Sequence, residues 1–353
     1  MGRFHRFFEM GKGVGHNCGK HFGTAQREQN ARPVKPKIIM NRNVEKLESM
    51  LSPCRICPRE CGVDRAAGEV GACRAGMAAT VSSIGKHFGE EPPISGSRGS
   101  GTIFFTRCNL SCVFCQNHQI SQPGGREPGL PYSPEELAEQ MMALERAGAH
   151  NINFVSPTQW TPQAAKAIVL SREAGLTIPI VWNSNGYERV ETIRLLEGLV
   201  EIYMPDFKYG QDDSAVRLSN APRYPEIAAA AIREMFRQVG ELTFDESGVA
   251  QRGVIVRHLV LPNGLAGTRS VLCSLATEVS PNVFVSLMSQ YYPTHRAREF
   301  RELRRSVRRS EYAEALRALE EFGLSRGWSQ DYREAPLRFR PDFEDDAPFE
   351  EWD

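Results

Sequence analysis

The stretch EIYMPDFKYG, residues 201–210, decides the fold that the sequence predicts. Side chains alternate between the two faces of a strand, so Met204, Asp206 and Lys208 share one face and the residues between them share the other. A carboxylate and an ammonium on one face of a central strand are costly to bury unless that face lines a polar cavity. The stretch therefore predicts a strand whose charged face lines the interior of a barrel.

Strands and helices alternate along most of the chain. Ser133 and Glu136 form a capping-box pattern, with Pro134 at the first helical position, and this predicts the start of a helix. The predicted strands are 101–107, 151–157, 178–186, 200–208, 253–261 and 283–291, and the later predicted helices are 161–175, 188–197, 225–239 and 268–279. This alternation implies βαβ crossovers and a parallel sheet.

Polar residues on other predicted strands favour a barrel over an ordinary doubly wound sheet. They are Asn183, Asn185, Arg257, Ser286 and Gln290. Six strands are too few to close a barrel of the TIM type, which has eight. The predicted fold class is therefore α/β, a partial (β/α)6 TIM-type barrel. We expect an N-terminal four-cysteine module before it and a C-terminal helical extension after it.

Composition limits the possible partners. The chain has 353 residues, of which 41% are apolar, and its 43 basic residues balance 43 acidic ones. Zero net charge argues against a nucleic-acid or anionic-membrane partner. No apolar run is long enough for a membrane helix, and the first residues lack the apolar stretch of a secretory signal. We expect a cytoplasmic protein, whose cysteines then indicate metal sites rather than disulfides.

The first predicted strand is followed by CNLSCVFCQN, residues 108–117, with cysteines at 108, 112 and 115. Cysteine thiolates hold iron–sulfur cubanes, normally four to a cluster, so a local set of three leaves one iron without a protein ligand. Cys273 could supply a fourth thiolate, but its helix should run behind the sheet. We interpret Cys273 as a buried apolar residue.

A second cysteine group precedes the barrel and has the spacing Cys54-x2-Cys57-x3-Cys61-x11-Cys73. Four thiols within twenty positions form a complete ligand set. Compactness favours structural zinc, and the neighbouring redox motif favours an auxiliary iron–sulfur cluster. The residues leave both metals open.

The cysteine triad and the predicted partial barrel together resemble the radical S-adenosylmethionine (SAM) superfamily. Phe114 lies where the superfamily signature has an aromatic residue. The stretches CRICPRECGVDRAAGEVGACRAG, EEPPISGSRGSGTIFFTRCNLSCVFCQNHQIS, YMPDFKYG and GVIVRHLVLPNG resemble the homologues of pyruvate formate-lyase activating enzyme that are often called PflX-like. The resemblance covers roughly residues 54–345.

The resemblance implies two cofactors and a set of site residues. Cys108, Cys112 and Cys115 would hold a 4Fe-4S cluster whose open iron binds SAM, and reductive cleavage would give a 5'-deoxyadenosyl radical. The Asp206, Lys208 and Arg257 positions match residues that line the SAM pocket in activating enzymes. Ser156 and Thr158, in NFVSPTQW, stand where many superfamily members have a Gly-Gly-Glu run. Asn183 and Asn185 are further candidate contacts to the ribose or methionine part of SAM.

The resemblance implies a radical SAM oxidoreductase that activates a glycyl radical enzyme of the pyruvate formate-lyase type, with a flavodoxin or ferredoxin as reductant. Two alternatives stay open. One is a radical SAM enzyme that modifies another peptide or a small molecule, and the other is a noncatalytic iron–sulfur or zinc protein in electron transfer. The expected domains are a flexible basic segment (1–45), a cysteine-rich module (46–99), a (β/α)6 core (100–295) and a helical extension with an acidic tail (296–353).

Overall fold

The structure is a computed structural model that describes residues 4–6, 37–122, 124, 129–332 and 341–343. Most of the segment predicted to be flexible, residues 1–45, lies outside these ranges, and so does most of the acidic tail. The predicted boundary at residue 45 falls inside a helix, Lys37–Ser49.

The strands occupy the following residues: β1 Phe4–Arg6, β2 Ala79–His87, β3 Ser100–Phe105, β4 Leu130–Tyr132, β5 Ile152–Val155, β6 Ile180–Ser184, β7 Ile202–Pro205, β8 Thr243–Phe244, β9 Ala250–Leu259, β10 Phe284–Met288 and β11 Gly327–Gln330. The helices are α1 Lys37–Ser49, α2 Pro92–Ser95, α3 His118–Ser121, α4 Pro134–Arg146, α5 Thr161–Glu173, α6 Val190–Leu195, α7 Asp212–Ser219, α8 Tyr224–Val239, α9 Thr268–Ser274 and α10 Arg309–Glu321.

One mixed sheet organises the chain, in the order β1-β11-β10-β9-β7-β6-β5-β3-β2-β4. Its centre is parallel from β3 to β11, while β2 and β4 continue it antiparallel at one side and β1 at the other. The six predicted parallel strands all form, which confirms the α/β class and the partial barrel. A seventh parallel strand, β11, lies in the segment expected to be only helical and acidic.

Five of the six predicted parallel strands are shorter than predicted, whereas the strand predicted over 253–261 is β9, which starts three residues earlier and ends two residues earlier. β7 ends at Pro205, and Asp206 makes only a single bridge to Arg257 of β9. The helix predicted over 268–279 is α9 followed by a π-helical turn, Leu275–Val279. Each departure is at the end of an element, where local periodicity carries the least information.

The two faces of the sheet bury different apolar clusters. Tyr203 and Phe207 belong to the large core between the sheet and its helices. Met204 belongs to a smaller cluster on the inner face, with Ile94, Val181 and Trp328. This division confirms the alternation predicted for β7, and the inner cluster fills one end of the barrel interior. The other end is left for polar side chains.

The predicted capping box is present at the start of α4. Ser133 Oγ accepts a hydrogen bond from the Glu136 backbone N–H at 3.1 Å, and the Glu136 carboxylate accepts one from the Ser133 backbone N–H at 2.7 Å. The two bonds satisfy two donors that the helix itself leaves unpaired.

We predict that Ser133→Ala lowers the free energy of unfolding by about 1 kcal/mol, because the first turn of α4 loses its cap. Urea denaturation followed by circular dichroism measures the loss. Ser133→Asp is the matched control, since aspartate caps as well as serine. An equal loss in both variants would contradict a capping role.

Candidate functional site

The loop that carries the cysteine triad leaves the C-terminal end of β3, at the same edge of the sheet as the ends of β6, β7 and β9. Its backbone is tied to α7: the Ser111 N–H donates to the Ser219 carbonyl at 3.1 Å, and the Val113 N–H donates to the Leu218 carbonyl at 2.9 Å. Gln122 fixes the other side of the loop, since its Nε2 donates to the Cys112 carbonyl at 3.0 Å. The loop is therefore held from two directions.

Each thiol of the triad has a side-chain hydrogen-bonding partner. Asn185 Nδ2 donates to Cys108 Sγ at 3.3 Å, and Ser219 Oγ donates to Cys112 Sγ at 2.9 Å. Ser121 Oγ lies 3.2 Å from Cys115 Sγ. Hydrogen bonds to sulfur favour the thiolate and tune the potential of iron–sulfur clusters. All three thiols are free of disulfides.

Burial dominates the protonation of these thiols. It raises the pKa of Cys108 to about 12 and that of Cys115 to about 11. The pKa of Cys112 is also raised by burial, although the Lys208 charge opposes the rise. Buried thiols of this kind ionise when a metal binds them, because the metal charge replaces the missing solvent.

The chemistry of the triad suits an iron–sulfur cluster. Three free cysteine thiols lie on one loop at the wall of a single cavity. Cysteine thiolates are the usual protein ligands of iron–sulfur cubanes.

A network of charged groups lies beside the cysteine loop. Asp206 Oδ2 accepts from Lys208 Nζ at 2.6 Å, and Asp206 Oδ1 accepts from Arg257 Nε at 2.9 Å. Arg257 also donates to Asn183 Oδ1 at 2.7 Å. Burial alone would raise the pKa of Asp206, but the two cations outweigh it and hold that pKa below its usual value. The Asp206 carboxylate is therefore ionised and shared between two cations.

Glu90 and Asn153 also belong to this network, although no sequence pattern predicted them. Glu90 lies between β2 and α2, with one carboxylate oxygen 3.6 Å from Arg257 and the other accepting from Asn153 Nδ2 at 3.0 Å. Burial raises the pKa of Glu90, against the opposing charge of Arg257. The only sequence signal is the Glu-Glu-Pro-Pro run at 90–93, which places a carboxylate directly before a short helix.

A cavity of about 250 Å³ opens between the cysteine loop and the charged network. With the exception of Thr158, the structure brings together at this cavity the predicted cofactor-site residues of the barrel: Cys108, Cys112, Phe114, Cys115, Ser156, Asn183, Asn185, Asp206, Lys208 and Arg257. Thr158 is not at the cavity wall, and its hydroxyl donates to Glu188 at 3.2 Å. Cys273 is half-buried in α9 rather than buried, and it lines a different surface depression beside Arg269.

A short piece of the C-terminal segment lies at the mouth of this cavity. Pro341 lines the wall, and the Phe343 ring packs against Phe104 with centroids 5.5 Å apart. Gln119 of α3 anchors this piece, since its Nε2 donates to Asp342 at 2.8 Å and its Oε1 accepts from the Phe343 N–H at 3.1 Å. The cavity mouth thus accommodates polypeptide.

The second cysteine group lies next to the triad loop. Arg59, between Cys57 and Cys61, donates from Nε to the carbonyl of Asn109 at 2.9 Å. Asn109 in turn donates to the Tyr187 carbonyl at 2.8 Å. The four-cysteine module therefore supports the residue that directly follows Cys108.

Comparison with known proteins gives a family and relatives. The model of the radical SAM superfamily matches residues 102–245. The uncharacterized protein MJ0674 of Methanocaldococcus jannaschii is 33% identical over 295 residues, which are 82% of this chain and 81% of the relative. The uncharacterized protein MJ0808 of the same organism is 27% identical over 168 residues, 43% of this chain and 48% of that relative.

Two solved structures are similar at low identity. A structure of TYW1 with a lysine-pyruvate adduct bound aligns with a TM-score of 0.39 at 15% identity, over 62% of this chain and 73% of that one. HydG, a maturase of the FeFe-hydrogenase, aligns with a TM-score of 0.45 at 10% identity, over 82% of this chain and 62% of that one. Among the described helices, none combines the length and apolar character needed to cross a membrane.

We predict that Asp206→Ala lowers the free energy of unfolding by about 3 kcal/mol, because it leaves Lys208 and Arg257 close together without their shared carboxylate. Glu321→Ala is the matched control. It breaks an exposed pair with Arg269 and should cost at most about 1 kcal/mol. Urea denaturation at pH 7 measures both losses.

The pH dependence follows from the lowered pKa of Asp206. The stabilisation is complete above the ordinary aspartate value of about 3.9 and is lost as the pH falls through the lower folded value. The gap between wild type and Asp206→Ala should therefore be constant from about pH 7 to pH 5 and should close in stronger acid. A gap that closes near neutral pH would contradict an ionised Asp206.

Proposed function

We propose that this chain, which belongs to the radical SAM superfamily, activates a partner enzyme by abstracting hydrogen from a backbone glycine of that partner. Members of the superfamily use a 4Fe-4S cluster and SAM. The cluster, when bound, supplies the electron that cleaves the sulfonium of SAM to methionine and a 5'-deoxyadenosyl radical. The residues of this chain select the substrate and orient it toward the 5'-deoxyadenosyl radical.

The observation that carries the cofactor assignment is the cavity itself. It joins three thiols on one loop to two cations and a carboxylate on neighbouring strands. A carrier that only transfers electrons has no need for a charged cavity beside its cluster. The donor set therefore supports the assignment of Cys108, Cys112 and Cys115 to the cluster.

The charged network supplies the contacts that SAM requires. SAM carries a sulfonium, an ammonium and a carboxylate, so its site needs groups of both signs. We place the carboxylate of SAM beside the cations Lys208 and Arg257. Asp206 fixes the positions of both cations. Asn183 and Asn185 offer amide groups on the adjoining strand end, and Ser156 offers a hydroxyl. Phe114 closes the cavity wall, with its ring 5.8 Å from that of Tyr291.

The polypeptide at the cavity mouth supports a polypeptide substrate. The residues at this mouth are Pro341, Asp342 and Phe343. They are held by the ring contact of Phe343 with Phe104 and by two hydrogen bonds that the Gln119 side chain makes with Asp342 and Phe343. A glycine-bearing loop of a partner could use the same mouth. A flavodoxin or ferredoxin would supply the electron.

We predict that Cys112→Ala abolishes the formation of 5'-deoxyadenosine, because the cluster loses one of its three thiolates. Protein reconstituted with iron and sulfide without oxygen is incubated with SAM and dithionite, and the product is quantified by chromatography. Cys273→Ala is the matched control and should keep full activity, since Cys273 lies away from the cavity. Cleavage by Cys112→Ala would refute the assignment of the triad.

The activating role has a test of its own. We predict that a glycyl radical enzyme of the pyruvate formate-lyase type, supplied as the partner, acquires a glycine-centred electron paramagnetic resonance signal after incubation with the reduced protein and SAM. Alanine at the radical glycine of that enzyme should remove the signal. Formation of 5'-deoxyadenosine without any glycine-centred signal would favour another peptide or a small molecule as the substrate.

A further inference from the structure

We infer that Cys54, Cys57, Cys61 and Cys73 bind a second iron–sulfur cluster, separate from that of the triad, directly behind the triad loop. The inference does not depend on the activating role. It rests on how the structure places these four thiols and their neighbours.

The fold brings the four thiols together although they span twenty positions. Cys54 and Cys57 are buried, Cys61 and Cys73 are half-buried, and all four are free. Cys57 is close enough to the other three thiols for their charges to act on it. Four free thiols gathered in one place form a complete ligand set for a metal centre.

Backbone N–H groups point at three of the sulfurs. Arg59 N–H donates to Cys57, Ala75 N–H donates to Cys73, and Ala72 N–H lies 3.4 Å from Cys61 Sγ. In two of these bonds the donor is two residues after its cysteine, the same arrangement that Leu110 makes with Cys108 in the triad. Such bonds stabilise thiolates bound to metal.

Gly71 shows how closely the module is built around its sulfurs. A methyl group at this position would lie 2.8 Å from both Cβ and Sγ of Cys61, which is closer than real carbon contacts allow. Only glycine lets the chain pass Cys61 and return to place Cys73 beside it. The backbone is thus shaped to bring the fourth thiol to the other three.

The link between the four-cysteine module and the triad loop favours a cluster over zinc. Arg59, between Cys57 and Cys61, donates from Nε to the carbonyl of Asn109, the residue directly after Cys108, at 2.9 Å. Zinc has no redox chemistry, whereas an iron–sulfur cluster in this place can exchange electrons with a cluster on the triad loop.

A buried cation offsets the negative charge that four thiolates would bring. Arg65 is 2% exposed, and its charge favours the thiolate of Cys73. Its guanidinium donates to the Gln159 carbonyl at 2.9 Å and lies 5.3 Å from the ring centroid of Trp160. A cluster here would consequently be tied to the loop after β5, which also reaches the cavity.

The test counts iron in a variant that lacks the first cluster. We replace Cys108, Cys112 and Cys115 by alanine in the full chain, reconstitute it with iron and sulfide without oxygen, and measure both elements per chain. The expected result is about four iron and four sulfide, against about eight of each in wild type. Cys273→Ala is the control and should match wild type.

Two outcomes would overturn the inference. One is triple-variant protein that folds, by circular dichroism, yet binds no iron. The other is one zinc per chain in the protein as isolated, retained after reconstitution. Conversely, Cys54→Ser and Cys73→Ser should each lower the wild-type iron content toward about four. Iron counting needs neither SAM nor a partner, so failure of the activating role would leave this result unchanged.

Discussion

The site depends on one carboxylate that serves two cations. Asp206 follows β7 and binds both Lys208, two residues further on, and Arg257 of the neighbouring strand β9. Charged groups this close to the barrel interior are stable only when their neighbours satisfy them, so the carboxylate fixes both positions at once. Arg257 in turn fixes the side chain of Asn183 on β6. One acidic group thereby aligns the ends of three parallel strands around the cavity.

Local patterns predict the elements that this network joins. Alternation along 201–210 predicts which residues face the barrel, and the two apolar clusters confirm it. The capping box predicts the start of α4, and the strand predicted over 101–107 places the cysteine triad directly after β3. These predictions succeed because each signal and the feature it specifies lie within about ten residues of each other, where strand and helix periods act directly.

Contacts between distant parts of the chain could not be predicted in the same way. Glu90 reaches Arg257 across more than 160 positions, and Gln119 reaches Asp342 across 223. β11 joins β10 as a seventh parallel strand although it is only four residues long. Neither a single carboxylate nor a short strand has a periodic signal, so only the tertiary fold shows their partners.

The triad loop is held by residues that are not cysteines. Asn185, after β6, donates both to Cys108 Sγ and to Asn109 Oδ1, while Arg59 of the cysteine-rich module holds the Asn109 carbonyl. Asn109 therefore lies between the barrel and the module and connects the two cysteine groups. Its side chain is engaged by the barrel and its carbonyl by the module. The position of the first thiol is thus set jointly by the barrel strands and by the module in front of them.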